Sequence, residues 1–323
     1  MSETIKTSPP RISIIIPISA FDKFLDECLE HCRALDYPDY EIILLPDEMP
    51  EEDVPGIRII STGNADPSTK RNTGVANATG EICAFIDADA YPKTDWLMKA
   101  AAWFTDPEVA AVGGPNLTPP GEEPMKQANS IIFSSLMGGR RYTVRYTKPK
   151  VMTSFELQTV NMFVRKSTFK KLGGFQIGLW PGEDAKLSFQ IKDVLKMKQV
   201  YIPDLIVYHH RRPLFGPYLN QVWRSGITKG YLIKDFFTIR RIEYFLPSLF
   251  AIGLVAGLIL SFFNSVLAIV YFSIVGLYVL GALLTGVRTG KLKLGAAVFF
   301  GILLTHVTYG IAFLVGWMGR RSL

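Results

Sequence analysis

The apolar positions of this chain fall into two regimes. Up to about residue 240 short apolar runs alternate with amphipathic stretches, whereas from Tyr244 to Trp317 nearly every residue is apolar or small. In the first regime Arg11-Ile-Ser-Ile-Ile-Ile-Pro17 has the length and apolarity of a buried parallel strand stopped by proline. Phe21 to Leu35 then sets Phe24, Leu25, Cys28, Leu29 and Cys32 on one helical face, and Tyr40 to Leu45 makes a second strand that ends at Pro46-Asp47. Strand, helix and strand in that order predict a parallel β-α-β unit. Ile57 to Ile60 is a third strand. It leads to a polar loop, and then come Ser68-Thr-Lys-Arg-Asn-Thr-Gly74, helix-like Val75 to Ala78, Gly80 and the apolar run Ile82 to Ile86. The fold class expected is α/β, a mixed, mostly parallel sheet with flanking helices.

The second regime holds three stretches, 245–262, 266–287 and 294–318, without Asp, Glu, Lys or Arg. At about 1.5 Å per residue each reaches across a hydrocarbon layer roughly 30 Å thick, so about three transmembrane helices are expected. Lys229, Lys234, Arg240 and Arg241 precede the first, and Arg288, Lys291 and Lys293 separate the second from the third, which places both regions on the cytoplasmic side. The uncharged Phe263-Asn264-Ser265 suits an outer hairpin. Three crossings would leave the carboxyl terminus outside, against Arg320 and Arg321, so a third segment that returns or lies at the interface is the alternative. Between 213 and 243, Leu214, Phe215, Tyr218, Trp223, Tyr231, Phe236 and Phe237 predict interfacial amphipathic helices. Met1 to Arg11 has no apolar core of a secretory signal. The expected order is a disordered tail at 1–10, a cytoplasmic globular domain at 11–212, interfacial helices at 213–243, a membrane region at 244–318 and a tail at 319–323, in a multi-pass protein of the inner membrane.

Composition narrows the choice of partners. With 48% hydrophobic residues among 323, the chain is richer in apolar groups than an ordinary soluble domain. The net charge of +6 is concentrated beside the apolar stretches and no basic-aromatic module accompanies it, which points to membrane lipids and not to nucleic acid. Cys28, Cys32 and Cys83 lack further ligands at zinc spacing and are expected to be reduced structural thiols. Neither a Gly-x-Gly-x-x-Gly fingerprint nor a Walker phosphate loop occurs, which disfavours dinucleotide oxidoreductases and P-loop enzymes.

The chemistry-bearing feature is Phe85-Ile-Asp-Ala-Asp-Ala-Tyr-Pro92. Alternate residues of an extended segment point to one side, so Asp87 and Asp89 would present oxygens together at the carboxyl end of a strand, where open α/β sheets bind ligands. Hard oxygen donors suit Mg²⁺ or Mn²⁺ shared with substrate phosphates.

The ordered series Ser13-Ile-Ile-Ile-Pro17, Asp47, Lys70-Arg71-Asn72-Thr73-Gly74, Gly80-Glu81, Asp87-Ala-Asp89, Trp96-Leu97, Gly113-Gly114-Pro115, Asn161-Met-Phe-Val-Arg-Lys166, Gly173-Gly174-Phe175 and Gly182-Glu183-Asp184 resembles glycosyltransferase family 2 over roughly residues 11 to 230. The resemblance implies the GT-A (nucleotide-diphospho-sugar transferase) fold and a metal-dependent, inverting hexosyl transfer assisted by Mn²⁺ or Mg²⁺. It implies that Pro17, Asp47, Arg71 and Asp87 bind the donor nucleotide and diphosphate, that Asp89 ligates the metal, and that Asp184 is the catalytic base. Gly174, Trp180 and Glu183 would lie on the acceptor side, and His209, His210 and Arg212, in Tyr208-His-His-Arg-Arg212, would close over the diphosphate, with either histidine facing it. Where most members have Asp-Asp-Gly-Ser this chain has Pro46-Asp47-Glu48-Met49, which makes Glu48 the alternative base-binding acid.

Together these features predict transfer of a sugar from a nucleoside-diphosphate donor, a UDP-sugar foremost, to a lipid-linked polyprenyl-diphosphate glycan at the cytoplasmic face, in surface polysaccharide synthesis. Polyprenyl phosphate itself is the nearest rival acceptor. A non-catalytic nucleotide-sugar-binding protein is the alternative of a different class.

Overall fold

A computed structural model describes residues 9–147, 150–153 and 156–319, with the side chains of Arg140, Arg141, Tyr142 and Arg240 outside the description. Most of the tail expected at 1–10, and Arg320 and Arg321, lie outside the described residues. The chain divides into two units: residues up to Pro119 with Thr147–His210, and Pro120–Tyr146 with Arg211 onward. The segment 120–146, which the sequence pattern leaves inside the globular domain, groups with the carboxyl-terminal helices. Its apolar Ile132 and Met137 meet Gly301 and Gly281 of those helices, contacts between residues far apart in sequence.

In the first unit the strands are β1 (Ile12–Pro17), β2 (Tyr40–Leu45), β3 (Arg58–Ile59), β4 (Ile82–Phe85), β5 (Ala90–Pro92), β6 (Val109–Gly113), β7 (Asn116–Leu117), β8 (Met152–Thr153), β9 (Met162–Arg165), β10 (Lys198–Tyr201) and β11 (Val207–His209). The main sheet runs β3-β2-β1-β4-β9-β6-β10-β8 and a smaller one runs β5-β11-β7. β1 to β4 are mutually parallel where they pair, and β9 is antiparallel to both neighbours. The mixed, mostly parallel sheet is therefore as expected. Its core of Ile12, Ile14, Ile16, Leu44, Ala84 and Phe163 is fully buried, which explains why these strands are continuous apolar runs.

Helices α1 (Lys23–Arg33), α2 (Pro67–Asn77) and α3 (Trp96–Ala101) precede α4 (Pro124–Ser134) of the second unit, and α5 (Lys166–Lys171) and α6 (Glu183–Phe189) complete the first. α1 opens at Asp22, whose carboxylate accepts from the backbone N–H of Phe24 and Leu25 at 3.0 Å each. α2 extends the helix-like stretch at Val75 toward the amino terminus. The stretch 68–74 is helical, begun by Asp66 accepting from Ser68 N at 2.8 Å and by Pro67 in the first turn, where a missing N–H costs nothing. Gly74 lets α2 settle on the sheet, since a Cβ there would meet Ile15 and Leu45 side chains at 2.6 and 2.8 Å. Asn161 clips the layers together: it accepts from buried Trp96 Nε1 at 2.9 Å and donates to Pro115 O and Leu205 O at 2.9 and 2.7 Å. The three cysteines are buried and unpaired, and burial pushes the Cys83 thiol up to about 12, in keeping with inert structural thiols.

The second unit contains α7 (Gly216–Asp235), α8 (Leu246–Ser261), α9 (Ser265–Val287) and α10 (Leu292–Met318), with a 3₁₀ turn over Ile239–Phe245. Three helical stretches, Arg241–Ser261, Ser265–Val287 and Leu292–Met318, are long and apolar enough to cross a membrane. They match the three apolar stretches of the sequence, and 294–318 lies within a single continuous helix.

Candidate active site

Pro17, Asp47, Asp87 and Asp89 lie at or just beyond the carboxyl ends of β1, β2 and β4, Arg71 lies on α2, Glu183 and Asp184 in the first turn of α6, and His209 at the end of β11. Asp87 and Asp89 do not converge by strand alternation. β4 ends at Phe85, and Asp87 to Ala90 form a turn closed by Ala90 N donating to Asp87 O at 3.1 Å. This turn leads into β5, which pairs antiparallel with β11 so that Ala90 faces His209. That register brings His209 Nε2 to 3.3 Å from Asp89 Oδ1. One donor atom from each of Asp87, Asp89 and His209 lies within 4.8 Å of the others, and all three side chains are half-buried. Two carboxylates and an imidazole on a turn form a donor set suited to a divalent cation with positions left for substrate oxygens.

The neighbouring histidine goes elsewhere. His210 Nε2 lies 2.8 Å from Glu27 Oε2 on α1, and its ring packs 4.7 Å from that of Phe24. Arg212 belongs to the second unit, where its carbonyl accepts from Asn129 Nδ2 at 2.8 Å.

Three consecutive side chains of α2 tie the site together. Lys70, buried, donates to Ile18 O, to Leu45 O at 3.3 Å and to the Asp47 carboxylate, which pins Asp47 just beyond the end of β2, where Leu45 pairs with Pro17, the last residue of β1. Arg71 extends one N–H to Asp87 Oδ1 and another to Glu183 Oε1, both at 2.7 Å. Asn72 accepts from Phe175 N at 2.9 Å and donates to Phe175 O at 2.8 Å, holding the loop after Gly174. Gly174 has φ +81, and a Cβ there would meet Asn72 Oδ1 at 2.7 Å, so both backbone and space require glycine. Trp180 is half-buried further along the same loop.

Arg71 is only 3% exposed. Burial works against its charge, but the carboxylates of Asp87 and Glu183 outweigh it and hold the guanidinium charged. Its Nε is buried with no partner among the described residues, so the cation has one more hydrogen bond to give. Glu183, also 3% exposed, accepts from Gly182 N at 2.9 Å. Burial, with the adjacent Asp184 carboxylate, pushes it up to about 7 in spite of Arg71. Asp184 sits in the first turn of α6, half-buried, with Oδ1 accepting from Ala185 N at 2.7 Å. The donor-side turn and the start of α6 are thus joined through one guanidinium.

A pH dependence follows. Below the ordinary carboxyl value of 4.5 Glu183 is neutral in both folded and unfolded chains, whereas between 4.5 and about 7 only the folded chain keeps its proton. Folding is therefore favoured at the acid end of that window and loses this contribution as pH rises through it. Denaturant unfolding at pH values across that window is expected to show a shallower pH slope for Glu183→Gln than for the wild type. Equal slopes would contradict the raised value.

Sequence alone does not reveal Lys70 and Asn72 as anchors, nor Glu183 as a buried partner of Arg71. The available signal was three adjacent polar residues on a helix facing the carboxyl edge of a buried sheet.

Comparison with known proteins agrees with this architecture. Residues 13–173 match the Glycosyl transferase family 2 domain. Glycosyltransferase AglE of Haloferax volcanii is 26% identical over 255 residues, covering 72% of this chain and 78% of that protein. A dolichyl N-acetyl-α-D-glucosaminyl phosphate 3-β-D-2,3-diacetamido-2,3-dideoxy-β-D-glucuronosyltransferase of Methanococcus voltae is 24% identical over 250 residues, covering 71% of this chain and 76% of that protein. In fold the chain resembles a mannosyltransferase of Pyrobaculum calidifontis, solved with GDP-Man and Mn²⁺, at a TM-score of 0.55 and 20% identity over 97% of this chain and 88% of that one. With the β-α-β sheet, the acidic turn and the matched domain in agreement, this chain belongs to glycosyltransferase family 2 and has its GT-A fold.

Proposed function

We propose that the protein is a membrane-anchored, inverting glycosyltransferase that moves one sugar from a nucleoside-diphosphate donor to a lipid-linked acceptor at the cytoplasmic face. The observation that carries this reading is the link Asp87–Arg71–Glu183, which sets a cation-binding turn and a second carboxylate, Asp184, around one guanidinium. A pure binding module has no need of that second carboxylate. The lipid-linked acceptor is supported by the three apolar helices on the same chain and by the Methanococcus voltae relative, which is named for a dolichyl-linked sugar phosphate.

Asp87, Asp89 and His209 would hold the metal, and the imidazole nitrogen tilts the set from Mg²⁺ toward Mn²⁺. When bound, the cation offsets the charge of the leaving diphosphate. Asp47, pinned by Lys70, faces the nucleotide base, and Arg71 holds Asp87 in position while keeping positive charge beside the phosphates. Asp184 takes the proton of the acceptor hydroxyl at Oδ2, with Oδ1 held by Ala185 N–H. The acceptor oxygen forms its bond to the anomeric carbon as the carbon–phosphate oxygen bond breaks, and that electron pair leaves with the diphosphate. Attack from the side opposite the leaving group inverts the anomeric centre.

Calorimetric titration of UDP, GDP and dTDP with and without Mn²⁺ tests the donor half. Mn²⁺ is expected to tighten binding of one nucleotide by about 10–100-fold. His209→Ala and Asp89→Ala should each remove most of that gain, and His210→Ala should leave it intact. A gain that survives Asp89→Ala would sink the metal assignment.

A further inference from the structure

The second unit holds α8, α9 and α10 in an arrangement that their apolarity alone does not predict. α8 and α9 form an antiparallel hairpin. Phe250 packs on Tyr278 with ring centroids 4.3 Å apart, Tyr271 Oη donates to Leu254 O at 2.9 Å, and the turn lies at Phe262 to Asn264. The opposite end of the hairpin is therefore marked by Leu246, which opens α8, and Val287, which closes α9.

α10 meets the half of the hairpin nearer that end, and midway along it His306 Nδ1 lies 2.6 Å from Tyr278 Oη. Near its start, Gly295 abuts Gly286, where a Cβ on either would lie 2.5–2.6 Å from the other's carbonyl oxygen. Further along, Gly310 O accepts from Ser248 Oγ at 2.8 Å, and Trp317 packs on Phe245 with centroids 4.9 Å apart. Between Gly295 and Gly310 a helix advances by about 22 Å. A helix running antiparallel beside α9 from Gly286 would by then have reached the level of Tyr271, which packs on Leu254 and Gly257, yet Gly310 touches the first turn of α8. α10 thus lies across the base of the hairpin.

Two further observations agree. Among the described residues, Ser248 is the one buried residue of α8 and Ala282 and Gly286 are the two of α9, whereas α10 buries eleven. α10 is exposed along one stripe, Leu292, Lys293, Ala296, Phe300, Leu304, Ile311, Val315 and Met318, at helical spacing and apolar but for the lysine at its start. Its other faces are covered, chiefly by α7. The two helices run in the same direction, from Tyr218 Oη and Thr305 Oγ1 at 2.6 Å, through Gly316 against Ile227, to Lys234 Nζ donating to Gly319 O at 2.8 Å. If α10 crossed the bilayer it would carry α7 along, with Arg224, Lys229 and Lys234, into a region where charged side chains are costly.

We propose that only the α8–α9 hairpin crosses the bilayer, and that α10 lies in the membrane interface with its Leu292–Met318 stripe in lipid and α7 behind it. The carboxyl terminus then returns to the side of Lys291. Lys229, Lys234, Lys291 and Lys293 then lie together, in accord with the clustering of basic residues on one face.

The test is thiol labelling of the full chain in its membrane, comparing Phe263→Cys, Lys291→Cys and Ser322→Cys with a membrane-impermeant maleimide in intact cells and in inverted vesicles. The native cysteines are buried, and the wild type serves as the unlabelled control. Ser322→Cys is expected to label with Lys291→Cys and opposite to Phe263→Cys. Labelling together with Phe263→Cys would overturn the proposal. Spin-label depth along α10 is a second readout that does not depend on access to the terminus. Phe300→Cys, Leu304→Cys and Val315→Cys should report one shallow depth, and a rise to the bilayer centre and back would equally overturn it.

Discussion

Asp184→Asn is expected to lower the rate of sugar transfer by about 10²–10⁴-fold while leaving Mn²⁺-dependent nucleotide binding unchanged. Asparagine keeps the shape of the side chain and its Oδ1, so the bond from Ala185 N that orders the start of α6 survives. What is lost is the anionic oxygen able to accept the acceptor's proton. The effect should fall on kcat, since the group acts on charge that develops only in the transition state. Comparable rates for Asp184→Asn and wild type in single-turnover assays would remove Asp184 from the mechanism. The same loss in both binding and rate would assign it a structural part in α6.

The second large effect is on stability. Arg71→Met leaves Glu183 and Asp87 without the cation that bridges them, and Glu183 is almost fully enclosed. Above pH 7, where Glu183 is ionised, breaking a buried pair from one side costs about 3–5 kcal/mol, a sizeable share of the ~5–15 kcal/mol that holds a domain folded. Arg71→Lys should recover only part of this, because a single ammonium on a flexible stem cannot reproduce two N–H groups set in a fixed fork. Pairing Arg71→Met with Glu183→Gln is expected to cost less than the sum of the two single changes, since each alone orphans the other's partner. Denaturant unfolding of the four proteins checks the cycle; additive changes, or a loss below about 1 kcal/mol for Arg71→Met, would show that the link does not hold the site together.

How far these features were legible in the sequence differs residue by residue. β1, β2 and β4 are buried on both faces, so they stand out as unbroken apolar runs, and the parallel order follows from α1 between the first two. Of α2 only the end, from Val75, reads as helix, because Ser68, Thr69, Asn72 and Thr73 are weak helix formers, and its cap at Asp66 with Pro67 behind it was the stronger signal. Asp87 and Asp89 were recognisable as a pair, yet the geometry that joins them is a turn and not strand alternation. The choice between His209 and His210 rests on the pairing of β11 with β5, two three-residue strands more than a hundred positions apart, which local pattern cannot supply. Burial of Glu183 was equally invisible, because an acidic residue at the start of a helix reads as a solvated favourable charge. Apolarity marked α10 as a membrane helix, but its direction depends on the glycine contacts with α7, α8 and α9.

The central claim, metal-assisted transfer from a soluble sugar nucleotide to a lipid with Asp184 as base, meets its most direct test in incorporation of labelled sugar into the solvent-extractable lipid of membranes holding the full chain. Supplied with the nucleotide sugar whose nucleotide binds in the presence of Mn²⁺, the wild type should show incorporation that a chelator abolishes and Asp184→Asn nearly eliminates. Label that never enters lipid, or that enters equally with Asp184→Asn or with the metal removed, would contradict it.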